Sequence, residues 1–209
     1  PQYVNGLVTY DAIGARNALD QKAREYASGT SSVVGIKHAP DGNISSAVDA
    51  VDAASRPHML LGNEMTGVSA ERETLGNETA HVILRGSKDA PNYTEAYISK
   101  TIQLIRDRNE TTGKQLLEAV VVDASHDNSG KDYTKQFWVV KSVAEQIILG
   151  DTAIKGVMIE SNLRAGKQSA PADQKKSSLE YGKSITDGCV DIKETEQLLG
   201  ILAGAVKAR

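Results

Sequence analysis

Short continuous apolar runs alternate with helical patterns along the 209 residues of the chain. The runs are short and bounded by turn-forming residues, which is typical of buried strands. The helical segments space their apolar residues by three and four positions, as between Ile44 and Val51 behind the capping residue Asn43. Strands are predicted over residues 11–16, 32–37, 58–62, 81–86, 119–126 and 154–161, and helices over 21–29, 43–51, 95–108, 137–150 and 193–209.

This alternation predicts an α/β protein with a parallel sheet, because fully apolar strands are covered on both faces. Two architectures remain, an open doubly wound sheet and a (β/α)8 TIM barrel. The barrel is favoured because polar residues recur at the carboxyl ends of the strands, where barrel enzymes assemble their sites. A glycine-rich dinucleotide loop of the doubly wound type is absent from the sequence. The polar strand ends are Arg16, Lys37, Arg85, His126 and Glu160. A polar segment between 58–62 and 81–86 predicts an inserted hairpin.

Composition narrows the class of protein further. A formal net charge of −3 argues against a nucleic-acid partner, and no apolar run is long enough to span a membrane. The single cysteine, Cys189, excludes an internal disulfide framework, fits the reducing cytoplasm and is more often a small buried residue than a nucleophile. Because the chain starts at Pro1 without Met, we expect it to be the later part of a longer polypeptide.

Three residues could hold a metal ion. His126 and Glu160 end consecutive predicted strands, and Asp187 follows before the last helix. One imidazole and two carboxylates suit a divalent transition metal, and Asp123 could support the imidazole of His126. Taken singly, an acid at a strand end is more often a helix cap or a solvated loop residue, so only the combination favours the metal.

Three cations could bind an anion. Arg16, Lys37 and Arg85 end three predicted strands, and their convergence at one rim is costly unless an anion lies between them. Arginine offers a planar fork and lysine a point charge, which together suit a phosphate and a carboxylate. Each alone would more often pair with a neighbouring acid. Together they favour a small polyanionic substrate.

These residues lie in sequence motifs that resemble those of one family along essentially the whole chain. The motifs are AIGAR, VGIK, HVILRG, DASHDNSGKD, GVMIESNL, EYGKSITDGC and LLGILAGAVKAR. They resemble the class I 3-deoxy-D-arabino-heptulosonate-7-phosphate (DAHP) synthases. The resemblance implies that residues 1–209 are one domain, the C-terminal portion of a TIM barrel with about strands 4 to 8 and the inserted hairpin. It also implies a cytoplasmic homo-oligomeric transferase that condenses phosphoenolpyruvate with erythrose 4-phosphate, the first step of the shikimate pathway and of aromatic amino acid biosynthesis.

Roles follow from the resemblance. His126, Glu160 and Asp187 are implied as three of four ligands to a divalent metal of the Mn, Fe, Co or Zn type, the fourth being a cysteine absent from these residues. Arg16, Lys37 and Arg85 are implied to bind phosphoenolpyruvate, and Lys37, Arg85 and His126 to be catalytic.

Two segments depart from the family pattern. Residues 17–19 read Asn-Ala-Leu where Thr-Thr-Glu is usual, and residues 38–40 read His-Ala-Pro where Asn-Gly-Thr is usual. These departures motivate an alternative, a non-catalytic paralogue that acts as a regulatory or assembly subunit. A sister aldolase that uses arabinose 5-phosphate is disfavoured by the motifs around Arg85 and His126.

The resemblance also implies feedback inhibition by tyrosine or phenylalanine. The effector site would involve Pro1, Gln2, Ser31, Leu60 and Gly62. Glycine at the position of Gly62 accompanies tyrosine sensitivity in the family, and serine accompanies phenylalanine sensitivity. Removing a side chain leaves room for the phenol hydroxyl, which favours tyrosine. Against this, Leu60 replaces a usual phenylalanine, and Gly62 alone is also an ordinary strand-end turn residue.

Overall fold

The computed structural model describes residues 6–64, 66–171 and 175–209. They fall into two compact units, one within Pro1–Leu84 and Ile98–Val121 and the other within Arg85–Tyr97 and Val122–Arg209. Within the described residues, no helix is long and apolar enough to cross a membrane.

The chain has a mixed α/β fold, as the apolar pattern predicts. The strands are β1 (Tyr10–Ile13), β2 (Val33–Lys37), β3 (Met59–Asn63), β4 (Ser69–Glu73), β5 (His81–Leu84), β6 (Val120–Asp123), β7 (Ile154–Met158), β8 (Arg164–Lys167) and β9 (Lys183–Ser184). The helices are α1 (Gln21–Gly29), α2 (Ile44–Ala54), α3 (Glu95–Thr112), α4 (Gln136–Ile148) and α5 (Ile192–Ala208). Each predicted strand and helix is present, with its ends shifted by a few residues.

The first unit is built on parallel strands in the order β1-β2-β5-β6. Strand β1 pairs in parallel with β2, and β2 pairs in parallel with β5, where Lys37 lies opposite Ile83. Helix α2 begins at the predicted cap, because the side chain of Asn43 accepts a hydrogen bond from the backbone N–H of Ser46. The apolar face of α2 is buried, including Ile44, Ala47, Val48, Val51 and Ala54.

The predicted hairpin is present, but the apolar run at 58–62 is itself one of its arms. Strand β3 pairs antiparallel with β4. Met59 and Leu61 on β3 are exposed, unlike the residues of β5, all of which are buried. The run therefore lies outside the parallel sheet, because only alternate side chains of β3 are even partly covered.

The second unit contains the end of β6, followed in the sheet by β7. The backbone N–H of Ala124, just beyond β6, donates at 2.8 Å to the carbonyl of Met158, the last residue of β7. Helices α4 and α5 pack on each other, and the apolar face of α4 is buried. Helix α5 is capped by Asp191, whose side chain accepts from the backbone N–H of Glu194. The assignment of these strands to positions 4 to 8 of a closed barrel stays a prediction.

Candidate metal and anion site

His126 lies just beyond β6 and faces a buried carboxylate. Its Nδ1 atom is 2.9 Å from Oδ2 of Asp123, a residue with no exposed surface. A carboxylate beside Nδ1 favours the proton on that nitrogen, which leaves the lone pair of Nε2 available to a metal. The backbone of His126 has a φ of 50°, a left-handed conformation that few residues with a side chain adopt. The turn therefore imposes a specific backbone conformation at His126.

Glu160 lies two residues beyond β7, and its backbone is held by a side chain of α4. The amide of Gln136 donates through Nε2 to the carbonyl of Glu160 at 3.1 Å, and its Oε1 accepts from the Glu160 N–H at 2.9 Å. The carbonyl of Glu160 also accepts from the backbone N–H of Val190 at 3.0 Å. The carboxylate-bearing residue is therefore fixed at both of its backbone polar groups.

Asp187 lies on the segment between β9 and α5 and is exposed. This segment is anchored two residues later, where Gly166 and Cys189 exchange backbone hydrogen bonds of 2.8 and 3.1 Å. Burial raises the pKa of the Cys189 thiol, and the charges of Glu160 and Asp187 act in the same direction. Cys189 therefore stays protonated, as expected for a small buried residue and not for a nucleophile.

These three residues come together in the second unit. One ligand atom each from His126, Glu160 and Asp187 lies within 4.8 Å of the others. Atoms bound to one ion at about 2 Å lie at most about 4 Å apart, so small side-chain rotations would complete the group. The donor set, one imidazole nitrogen and two carboxylates, fits a divalent transition metal. This arrangement makes the cluster a candidate metal site.

Arg85 follows β5 and lies against an acid that the sequence did not single out. Its Nη1 atom is 2.8 Å from Oδ2 of Asp127, and both side chains are largely buried. The other carboxylate oxygen of Asp127 is 3.8 Å from Nζ of the exposed Lys131. Arg85 is therefore positioned by a carboxylate, in agreement with the alternative that each cation pairs with a neighbouring acid.

Two asparagines hold the backbone around Arg85. The N–H of Gly86 donates to Oδ1 of Asn92, and the N–H of Asn92 donates to Oδ1 of Asn128, at 2.8 and 2.7 Å. Asn128 also donates its backbone N–H to the carbonyl of Arg85 and its Nδ2 to the carbonyl of Asp123. Gly86 is required here, because a Cβ atom at this position would lie 2.5 Å from the backbone nitrogen of Asn128. The turn carrying His126 and the turn carrying Arg85 are thus tied together.

Arg16 and Lys37 belong to the first unit. Arg16 is exposed in the turn after β1, and Lys37 is the half-buried last residue of β2. Their strands pair in parallel, with Ile13 opposite Ile36, so both cations lie toward the carboxyl ends of neighbouring strands. Convergence of these two cations with Arg85 stays a prediction.

An open cavity of about 810 Å³ lies in the first unit beside the hairpin. Three of the predicted effector residues line it, namely Ser31, Leu60 and Gly62. The other two, Pro1 and Gln2, lie outside the described residues. The cavity is large enough for an amino acid, and its occupant stays a prediction.

Sequence reasoning missed Gln136, Asp127 and Asn128. Gln136 directly precedes the predicted helix and has no exposed surface, although a polar residue at a helix start is usually solvated. Asp127 and Asn128 lie in the DASHDNSGKD motif, and this position beside His126 was the sequence signal for them. Their partners lie on other segments, so spacing along the chain could not identify them.

The fold and the cluster define an α/β protein with a candidate site for a divalent metal. The chain belongs to the DAHP synthetase I family, whose family model matches residues 1–200. It is 44% identical over 210 residues to the Phe-sensitive phospho-2-dehydro-3-deoxyheptonate aldolase of Escherichia coli K12, with 100% of this chain and 57% of the relative covered. It is 43% identical over 210 residues to the tyrosine-inhibited enzyme of that name in Candida albicans, with 100% of this chain and 55% of the relative covered.

A solved structure shows the same similarity. The phospho-2-dehydro-3-deoxyheptonate aldolase of Francisella tularensis SCHU S4 superposes with a TM-score of 0.86 at 42% identity, over 97% of this chain and 56% of that one. The chain spans about half the length of the curated relatives it matches. Nothing in these comparisons supports the alternative of a non-catalytic paralogue.

Proposed function

We propose that the protein containing this chain is a DAHP synthase. It condenses phosphoenolpyruvate with erythrose 4-phosphate and water to give DAHP and inorganic phosphate. The observation that carries the proposal is the cluster of His126, Glu160 and Asp187 in a chain of this family. The names of the relatives, all phospho-2-dehydro-3-deoxyheptonate aldolases, support the same reaction.

His126, Glu160 and Asp187 would hold a divalent ion of the Mn, Fe, Co or Zn type. When bound there, the ion supplies Lewis acidity to the aldehyde oxygen of erythrose 4-phosphate. Asp123 keeps the proton of His126 on Nδ1, so that Nε2 remains a donor of its lone pair. Glu160 and Asp187 offset most of the charge of a divalent ion.

Arg85, Lys37 and Arg16 would bind phosphoenolpyruvate through its phosphate and carboxylate. Arginine forks orient these groups, and the positive charges stabilise the anionic substrate while its C3 atom attacks the aldehyde carbon. The C3–C1 bond forms, water adds at C2, and the C2 phosphate leaves. Lys37 and Arg85 act on the reacting substrate and are therefore the proposed catalytic cations.

The remaining family properties form part of the same proposal. Strands β1, β2, β5, β6 and β7 are strands 4 to 8 of one TIM-barrel domain. The protein is a cytoplasmic homo-oligomer. Its reaction is controlled by tyrosine bound at the cavity lined by Ser31, Leu60 and Gly62, since the relatives include tyrosine-inhibited and Phe-sensitive enzymes.

The test is phosphate release by the full-length protein. We expect release when Mn²⁺ and both substrates are present together, and none when the metal has been removed by a chelator. His126→Ala should abolish both metal binding and release, whereas the control His58→Ala, in the first unit, should retain both. Absence of phosphate release from the loaded wild-type protein would refute the proposed reaction. Faster release with arabinose 5-phosphate than with erythrose 4-phosphate would instead identify the sister aldolase.

A further inference from the structure

Gln136 is a fully buried polar residue whose side-chain nitrogen and oxygen both bond to the backbone of one residue. It is the first residue of α4 and has no exposed surface. Its Nε2 donates to the carbonyl of Glu160 and its Oε1 accepts from the N–H of the same residue, at 3.1 and 2.9 Å. The amide thus pairs with the Glu160 backbone in the way that a neighbouring β-strand would.

The pairing occurs where regular structure has ended. Strand β7 stops at Met158, two residues before Glu160. The same carbonyl accepts a second hydrogen bond from Val190, and Asn162 donates back to the Val190 carbonyl, both at 3.0 Å. Val190 lies three residues after Asp187. Gln136 therefore stands at a junction that connects the backbones of two candidate metal ligands.

This junction can order the metal ligands before an ion binds. A metal site requires its ligand atoms within a few tenths of an ångström of their bonding positions, and unheld ligands must be ordered when the ion binds. Glu160 lies beyond β7 beside an isolated β-bridge, Ser161 opposite Val190, and Asp187 lies in a bend, so neither residue belongs to a regular strand that would order it. A buried amide with both polar groups satisfied supplies that order before the ion arrives.

We propose that Gln136 is a positioning residue for the metal site formed by His126, Glu160 and Asp187. It contacts neither the ion nor the substrate and acts through the backbone of Glu160. The inference rests on the proposed metal-dependent function. Its effect is on metal affinity, since it preorganises one carboxylate directly and the second through Val190.

The test compares two glutamines of the same helix in the full-length protein. Gln136→Met keeps the size of the side chain and removes both hydrogen bonds. Gln146→Met is the control, because Nε2 of Gln146 also donates to a backbone carbonyl on another segment, that of Tyr93 at 2.9 Å. Mn²⁺ dissociation constants are measured by electron paramagnetic resonance of free Mn²⁺, and thermal unfolding is measured on the metal-free proteins.

We expect Gln136→Met to weaken Mn²⁺ binding by about 10- to 100-fold, the range typical of residues that support metal ligands. Gln146→Met should change Mn²⁺ binding by less than about twofold. Gln136→Asn keeps the amide but withdraws it by one methylene. If Gln136→Met does not fold, this variant tests whether Gln136 supports metal binding. It should also weaken Mn²⁺ binding.

The outcomes separate the two proposals. Wild-type protein that binds no Mn²⁺ would refute the metal-dependent function itself. Wild-type protein that binds Mn²⁺, with equal affinity in the folded Gln136 variants, would refute only the role of Gln136. Equal weakening in Gln146→Met would also refute it, because the effect would then be one of general destabilisation.

Discussion

The guanidinium of Arg85 and the carboxylate of Asp127 form a close ion pair in the second unit, with 2.8 Å between Nη1 and Oδ2. Their side chains are only 8% and 10% exposed. The Arg85 cation proposed to bind phosphoenolpyruvate is therefore already partly neutralised. An anionic ligand at Arg85 has to share this cation with Asp127.

Asp127→Asn should tighten the binding of phosphoenolpyruvate. The substitution keeps the shape of the side chain and an acceptor oxygen for Arg85, but it removes a negative charge that repels the substrate. We expect the dissociation constant to fall by at least about threefold, since one charge about 6 Å away contributes about 0.7 kcal/mol even at the dielectric constant of water and more in a buried site. Calorimetric titration of the full-length protein measures it. Asp107→Asn on the exposed side of α3 is the matched charge control, and an unchanged or weaker affinity in Asp127→Asn would contradict the repulsion.

Asp123→Asn should weaken metal binding. The variant replaces the buried carboxylate that faces Nδ1 of His126 at 2.9 Å by an amide, which no longer fixes the ring proton. We expect about a 10- to 100-fold loss of Mn²⁺ affinity in a folded protein. Equilibrium dialysis with Mn²⁺ gives the affinity, and Asp132→Asn, at a partly exposed carboxylate, provides the comparison. The same affinity in both variants would show that Asp123 does not orient the imidazole.

The sequence predicted the strands and helices well because local forces determine them. Continuous apolar runs identify β5 and β6, all of whose residues are buried. The run at 58–62 was harder to assign, since an apolar segment in an exposed hairpin can have the same apolar residues as a buried strand. Which side of it is covered depends on residues distant in the chain.

Candidate ligands were also predictable, whereas their supports were not. His126 and Glu160 follow strand ends, and a strand end is visible in the sequence. Gln136 supports Glu160, which is 24 positions away in the chain. Asp127, which follows β6, supports Arg85, which follows β5. Such partners depend on how turns approach each other in space, which no spacing rule along the chain encodes.

His81 should make the stability of the protein depend on pH. It is buried on β5, where its Nε2 is 2.9 Å from the hydroxyl of Tyr10 and its Nδ1 is 2.9 Å from the carbonyl of Thr79. Burial lowers the pKa of His81, and burial raises the pKa of Tyr10 to about 12, so both are neutral at pH 7. The ring therefore accepts from Tyr10 and donates to Thr79.

The sign of the effect follows from proton linkage. Below about pH 6.5 the unfolded chain protonates this histidine while the folded protein resists, so the unfolded state binds more protons. The contribution of His81 to stability is present above that pH and is lost as the pH falls, by at most about 1.4 kcal/mol per pH unit. Urea unfolding between pH 5 and 8 measures it. His81→Gln should have a smaller dependence on pH, and an identical dependence in both proteins would assign the effect to other groups.

Gly62 should set which aromatic amino acid inhibits the reaction. The residue lines the open cavity beside the hairpin together with Ser31 and Leu60. A Cβ atom at Gly62 would lie 3.5 Å from Cδ of Arg72, an ordinary contact, so Gly62→Ser is sterically tolerated. The added side chain takes up the space that a phenol hydroxyl would need.

Separate titrations of tyrosine and phenylalanine against phosphate release test this role. The wild-type protein should be inhibited more tightly by tyrosine. In Gly62→Ser the ratio of the two inhibition constants should shift toward phenylalanine by about tenfold, since a change of one small group in a pocket has roughly that effect. Ala70→Ser, on the neighbouring hairpin strand and outside the cavity lining, serves as the control. Tyrosine would be refuted as the effector if the wild-type protein were equally insensitive to both amino acids or were inhibited more tightly by phenylalanine. In either case the space beside Gly62 would not favour binding of the phenol group.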